Sequence, residues 1–321
     1  TTGDVDGSVA LWDTAEDAGI WSDVPEHLGA SHVTMDATSP RSAAATGEAV
    51  VVLDHGAHTL VAEIPTADTP TALALGRDGT LLATGSPSGE VVVQDIGVGD
   101  VEDRVVLEHP TAITALAFGL DGTELAWGAE DGAAGAIDLM SGDSLGEIGA
   151  FDGEIAEVAV DDRASRMFVA GAGNSLLAVD LPIQADTARR MSGAHDDWID
   201  ALAVFPDGET VVSGGADRRV VVWDMGTGEP TQLAPIHTDR ILAAAVAPDG
   251  SLLATGDAGG TLVLWTREDG WQPLAPAIGV PGMATGIEEL GFLGSEQLLV
   301  AGAGVAHSIE LDPDRLRERV C

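Results

Sequence analysis

The chain of 321 residues sets 53 acidic against 14 basic residues, a formal net charge of −39, and every basic residue is Arg. Without Lys these residues cannot build a Walker-type phosphate loop, a Schiff-base site or a pyridoxal-phosphate site, and the single cysteine, Cys321, supports neither an internal disulfide nor a Cys-rich metal site. The excess negative charge repels nucleic-acid phosphate and anionic lipid, so neither is an expected partner.

A hydrophobic fraction of 45% is enough for a large core. No run reaches the roughly 18 apolar residues of a membrane span, and Thr1-Thr2-Gly3-Asp4 lacks the basic and apolar regions of a signal peptide. A soluble, cytoplasmic protein is expected. The acidity fits either a high-salt cytoplasm or a GC-rich genome.

At the N-terminus, Asp4-Val5-Asp6-Gly7-Ser8 resembles the opening of a calcium loop. The twelfth position from Asp4 is Ala15 rather than a bidentate Glu, so no metal is expected there. Next comes the first copy of a recurring unit, Val9-Ala10-Leu11-Trp12-Asp13, a short apolar strand closing on Asp. It returns as Val50-Val51-Val52-Leu53-Asp54, Val91-Val92-Val93-Gln94-Asp95 and Val220-Val221-Val222-Trp223-Asp224. The closing positions are Asp13, Asp54, Asp95, Asp138, Asp180, Asp224, Thr266 and Asp312, at intervals of 41, 41, 43, 42, 44, 42 and 46 residues. That period matches the roughly 40–45 residues of a four-stranded propeller blade.

Within each period an apolar strand leads to an Asp-Gly turn, a second strand ending in Gly, a loop and the Asp-closed third strand. Ile199–Val204, Pro206-Asp207-Gly208 and Thr210–Gly214 show the order, and Ile241–Val246, Pro248-Asp249-Gly250 and Leu252–Gly256 repeat it. Asp-Gly suits the positive φ angles of a hairpin turn. One such sheet has two apolar faces and cannot bury them alone, so the units must stack. Six full repeats begin near His32, Pro70, Pro110, Glu154, Trp198 and Arg240. A seventh runs from Met283 to Asp312 and lacks its last strand.

These residues resemble the WD-repeat β-propeller family over nearly the whole chain. The resemblance implies an all-β propeller of seven blades of four antiparallel strands, with eight irregular blades as the alternative. It also implies a buried network of a His before the first strand, a Ser or Thr on the second, an Asp in the next loop and a Trp on the third. His195, Ser213, Asp217 and Trp223 supply all four. The following repeat has His237, Thr255 and Trp265 but Gly259 at the Asp position, and the leading one has Thr2, Asp6 and Trp12. Gln94, Leu53, Ile137 and Val179 replace the Trp elsewhere. His32, His109, His195 and His237 recur at repeat entrances and read as structural residues.

The resemblance also implies that residues 1–30, a partial leading repeat, supply the strand that closes the last blade of a propeller over 31–312. In 313–321, Asp312-Pro313 reads as the cap of a helix that is cut short. The layout is similar to the C-terminal propellers of bacterial STAND-type signalling ATPases.

Gly142-Asp143-Ser144-Leu145-Gly146 matches G-x-S-x-G, but a nucleophile needs a strand-to-helix elbow, and here the motif falls in a turn between third and fourth strands. Trp198 follows His195-Asp196-Asp197 in a loop at the rim. Asp197, Trp198, Arg218, Asp239, Arg240, Glu130 and Asp131 occupy comparable loops and are the expected protein-binding rim, since Trp and Arg dominate interface hot spots. The bland alternatives are packing of Trp198 between blades and plain solvation of the charges.

The expected function is a non-catalytic protein-binding platform without cofactor, the sensor or scaffold propeller of a larger bacterial or archaeal signalling protein. Its partner would be another protein or an upstream domain of the same chain. A stand-alone scaffold is the alternative, and a hydrolase using Ser144 the reading from another class.

Overall fold

Short apolar runs separated by turn residues fold as antiparallel meanders. The structure is a computed structural model that describes residues 32–35, 39–47, 49–57, 59–76, 78–97, 103–119, 122–161, 165–184, 186–267, 270–274, 276–280, 283, 286–295, 297–302 and 305–311. Among the described residues every regular element is a strand, and no helix is long and apolar enough to cross a membrane.

Seven sheets follow one another in chain order. Blade 1 comprises β1 (His32–Met35), β2 (Arg41–Ala45), β3 (Ala49–Asp54) and β4 (Thr59–Pro65). Blade 2 has β5 (Ala72–Gly76), β6 (Leu81–Gly85), β7 (Glu90–Asp95) and β8 (Asp103–Glu108). Blade 3 has β9 (Ile113–Phe118), β10 (Glu124–Ala129), β11 (Ala133–Asp138) and β12 (Ser144–Gly149). Blade 4 has β13 (Ile155–Asp161), β14 (Arg166–Gly171), β15 (Ser175–Asp180) and β16 (Arg189–Ser192). Blade 5 has β17 (Ile199–Val204), β18 (Thr210–Gly215), β19 (Val220–Asp224) and β20 (Pro230–Gln232). In blade 6, β21 (Ile241–Val246), β22 (Leu252–Asp257) and β23 (Thr261–Thr266) carry a broken outer strand, β24 (Gln272–Pro273) and β25 (Ile278–Gly279), both halves pairing with β23. Blade 7 has three described strands, β26 (Glu289–Leu293), β27 (Gln297–Gly302) and β28 (Val305–Glu310).

The first strand of each blade touches the first strand of the next, and β26 returns to β1, so the ring closes on seven blades. Residues 1–30 and 313–321 lie outside the described residues, and with them Thr2, Asp6, Trp12, the proposed closing strand, the Asp4–Ser8 loop and the terminal helix.

Joints between blades explain why second strands end in Gly. A Cβ on Gly85, Gly128, Gly214 or Gly256 would stand 2.6, 2.3, 2.4 or 2.4 Å from the Cγ2 of Ile113, Ile155, Ile241 or Ile287, the apolar residue that opens the following blade. The glycine is therefore a socket for its neighbour. The closing Asp of four repeats, Asp54, Asp95, Asp138 and Asp224, has an equally local cause: its carboxylate caps the turn that follows. Asp224 accepts the Thr227 N–H at 2.8 Å, Asp138 the Met140 and Ser141 N–H groups at 2.8 and 3.0 Å, and Asp54 the Ala57 N–H at 2.8 Å. These N–H bonds hold Asp138 and Asp224 below the usual carboxylate pKa.

One expectation needs correction. In the fully described Asp-Gly turns of blades 5 and 6 only the glycine has positive φ (Gly208 70°, Gly250 72°), whereas in blade 2 Asp78 (58°) joins Gly79 (68°). The turns are longer than two-residue hairpins: Gly208 N–H closes on Phe205 O at 2.9 Å and Phe205 N–H reaches Thr210 O at 2.9 Å, so only the glycine needs the left-handed region. His32 opens β1, at the entrance of the first described repeat.

Candidate functional site: buried polar chains beneath a charged rim

Antiparallel alternation places the entry to the first strand, the exit from the second and the start of the third at the same end of a blade. In blade 5 this brings His195 over β18 and β19. His195 Nε2 lies 2.7 Å from Ser213 Oγ, the Trp223 indole N–H donates to the same oxygen at 2.8 Å, and His195 Nδ1 lies 3.0 Å from Asp217 Oδ1. Asp217 also accepts the Asp196 and Arg219 N–H groups at 2.9 and 3.1 Å. All four residues expected in this network meet.

Blade 6 repeats the geometry with one exchange. His237 Nε2 is 2.7 Å from Thr255 Oγ1, which takes the Trp265 indole N–H at 2.8 Å. In place of the absent loop carboxylate, Asp257 at the end of β22 reaches His237 Nδ1 at 3.0 Å, while its other oxygen accepts the Gly259 and Thr261 N–H groups at 3.0 and 2.8 Å. Burial lowers the His237 pKa against the pull of Asp257. Burial pushes Asp257 upward, but the Thr261 N–H and His237 outweigh it and hold the carboxyl below its usual value. A neutral imidazole beside a carboxylate fixes the proton on Nδ1, leaving Nε2 to accept from the threonine hydroxyl. Every donor in the chain is thus matched to one acceptor, which braces the loop above.

Blade 3 keeps half of this arrangement. His109 Nε2 lies 3.2 Å from both oxygens of Asp131, which also accepts the Ala133 N–H at 3.1 Å. The large aromatic has moved to the second strand: Trp127 on β10 packs its ring 5.0 Å from that of His109. It faces Gly135, where a Cβ would come within 2.7 Å of the indole. Asp131, expected only on the rim, is therefore also a network residue. Blade 1 has another solution, with His55 Nε2 2.8 Å from Ser42 Oγ.

Above these chains lies the rim. Glu130, Asp131, Asp197, Trp198, Arg218, Asp239 and Arg240 are all exposed and stand at this same end of their blades, Glu130 and Asp131 separated from the others by blade 4. Trp198 leaves 38% of its surface open, too much for a residue packed between blades. Arg240 grips Asp200, one residue into β17 of the neighbouring blade, through Nε at 2.7 Å and Nη2 at 2.6 Å. Burial pushes Asp200 up while Arg240 pulls it back, and the pairing holds Arg240 above its usual value. Asp197 and Glu154 add to the negative field around that guanidinium.

Arg218 has φ of 66°, in the left-handed region. The corresponding turns of blades 2, 3 and 6 place Gly89, Gly132 and Gly260 there, with φ between 77° and 88°.

Sequence reasoning missed Asp200, Asp257, Glu157 and Glu289. Each carries the same signal, a carboxylate in or closing an apolar strand. Glu157 on β13 and Glu289 on β26 belong to first strands of blades on opposite sides of the ring. Burial raises Glu157 to about 8, and burial together with the Glu157 charge raises Glu289 well above its usual value. Ser144, by contrast, is exposed at the start of an outer strand, where its Oγ accepts the Gly146 N–H at 3.1 Å. It caps a turn, and the turn leads into a strand instead of a helix.

The family model for the WD domain, G-beta repeat, matches residues 188–224 and 228–266. Each match begins at the outer strand of one blade and ends on the third strand of the next, so a repeat straddles two blades. Those stretches hold the two complete polar chains. The fold is a seven-bladed propeller, and these two of its repeats match the WD-repeat pattern. Among solved structures, the one described as U3-55K superposes with a TM-score of 0.71 at 17% identity, covering 86% of this chain and 89% of that one. The WD40 repeats of RRP9 give the same TM-score and identity over 86% and 88%. At that identity the likeness is one of fold. No curated protein sequence matches the chain.

Proposed function

We propose that this WD-repeat propeller is a non-catalytic protein-binding platform whose docking face is the rim over blades 5 and 6, extending toward blade 3. The observation that carries the reading is Trp198: an indole held open beside Asp197, on loops braced by two buried polar chains and by the Asp200–Arg240 pair. Rigid loops let a partner engage several side chains at once without a large ordering cost. Ser144 caps a turn, which argues against a hydrolase.

In its finer form the proposal makes the propeller the sensor or scaffold of a larger bacterial or archaeal signalling protein, in line with the resemblance to STAND-type propellers. The partner is then another protein or another domain of the same polypeptide. The charge balance disfavours nucleic acid.

Quantitative affinity capture from source-cell extract tests the platform reading. Trp198→Ala and Asp197→Arg should each release the same captured proteins while leaving the melting curve in place. Identical capture by wild type and both variants would overturn it.

A further inference from the structure

We propose that the docking face receives a basic segment of a partner protein, with one arginine or lysine cation laid on the indole of Trp198. The inference rests on the platform reading and adds the chemistry of the partner. Among the described residues four large apolar side chains are exposed, and of these Leu60 and Val105 lie on outer strands and Met140 on a turn at the opposite end. Trp198 is thus the apolar anchor of this face.

Its surroundings are negative. Asp196, Asp197, Asp239 and Glu154 are exposed near it or on the adjoining loops. The local cations are mostly engaged: Arg219 bonds Asp196 at 2.5 Å, and Arg240 is spent on Asp200. A cation approaching this face meets favourable potential from several sides, whereas an acidic segment meets repulsion.

The indole itself is suited to a cation, since Trp binds cations best among aromatic rings. The protein uses this contact internally. Arg190 lies 4.7 Å from the centroid of Phe151, and Arg267 lies 5.8 and 5.9 Å from those of Phe205 and Trp271. Trp198 has no such partner among the described residues.

The test uses the whole chain and a fluorescent peptide of about ten residues alternating Arg and Gly, with Lys-Gly and Gln-Gly versions, read by anisotropy over a salt series. The Arg and Lys peptides should bind and the Gln peptide should not. Trp198→Ala should weaken binding about fivefold, the gain expected of one cation–π contact, and Trp198→Phe should weaken it less. The pair Asp197→Asn and Asp239→Asn should weaken binding and flatten its salt dependence. The pair Glu63→Gln and Glu147→Gln removes equal charge from exposed outer strands and should change affinity less than twofold.

Equal weakening by both pairs would reduce the effect to diffuse attraction by an acidic protein and overturn the proposal, as would full binding by Trp198→Ala with an unchanged melting curve. If the peptides fail to bind while capture of natural partners still depends on Trp198, the basic chemistry is wrong and the platform stands. If neither depends on Trp198, both fall.

Discussion

Blades 5 and 3 solve the same problem differently. Each must hold a long entry loop over the end of its sheet. Blade 5 does so with a buried chain of four polar side chains ending in the indole of Trp223. Blade 3 stops at a His109–Asp131 contact with a half-exposed carboxylate, and lets Trp127 fill the space from the neighbouring strand against Gly135. The aromatic volume is needed in both, and the hydrogen bond to the indole in only one. Blade 6 shows that the carboxylate is defined by where its oxygens arrive, since Asp257 and Asp217 start from different positions and both reach the histidine at 3.0 Å.

The largest effect should come from removing the aromatic. Trp223→Ala leaves a cavity and takes from Ser213 Oγ one of its two hydrogen-bond partners, and should cost about 4 kcal/mol. Trp127→Ala should cost about as much in volume but break no indole hydrogen bond. Urea unfolding of both variants measures the difference, which should be about 1 kcal/mol.

Moving the blade 6 carboxylate sharpens the comparison. Asp257→Gly strands the His237 Nδ1–H and two backbone N–H groups and should cost about 3 kcal/mol. The double change Asp257→Gly with Gly259→Asp copies blade 5 and should recover all but about 1 kcal/mol. A double variant no more stable than Asp257→Gly would show that position, rather than arrival point, matters.

Two opposed pH dependences follow from the buried titratable groups. Glu157 is raised to about 8 when folded, so its contribution is fully present below about pH 4.5 and is lost as pH rises toward 8. Glu157→Gln should therefore stabilise the propeller by a few kcal/mol at pH 7.5 and by little at pH 4. His237 is lowered, so its contribution is present above about pH 6.5 and is lost as pH falls through its folded value. Denaturation midpoints of the single variants across this range separate the two.

The smallest effect lies on the rim. Arg218→Gly relieves a left-handed arginine at a position where three other blades have glycine, and should raise stability by about 0.5 kcal/mol. It should also strengthen binding of the Arg-Gly peptide by removing a nearby cation.

Much of this architecture was legible in the sequence because its causes are local and periodic. Valine-rich third strands, closing Asp residues and Gly-ended second strands recur every 41 to 46 residues, and each answers a need met within one blade or its neighbour. The blade 5 chain was legible for the same reason. Asp257 was hidden because a carboxylate displaced by two residues breaks the motif without breaking the geometry. Asp200 and Glu289 were hidden for another reason: Asp200 pairs with Arg240 and Glu289 accepts the Met35 N–H, each in a neighbouring blade, and no spacing along one repeat encodes a contact around the ring. Glu157 was hidden because its burial comes from packing alone. Asp131 was assigned to the rim alone because its exposure was legible and its bond to His109 was not.

The docking face proposed for the propeller lies at one end of blades 5 and 6. Hydrogen exchange of the whole chain, with and without its captured partner, tests this most directly. Protection gained at residues 196–200, 216–219 and 238–241 is the predicted result. Protection confined to the opposite turns, at 138–142 and 224–228, would contradict it.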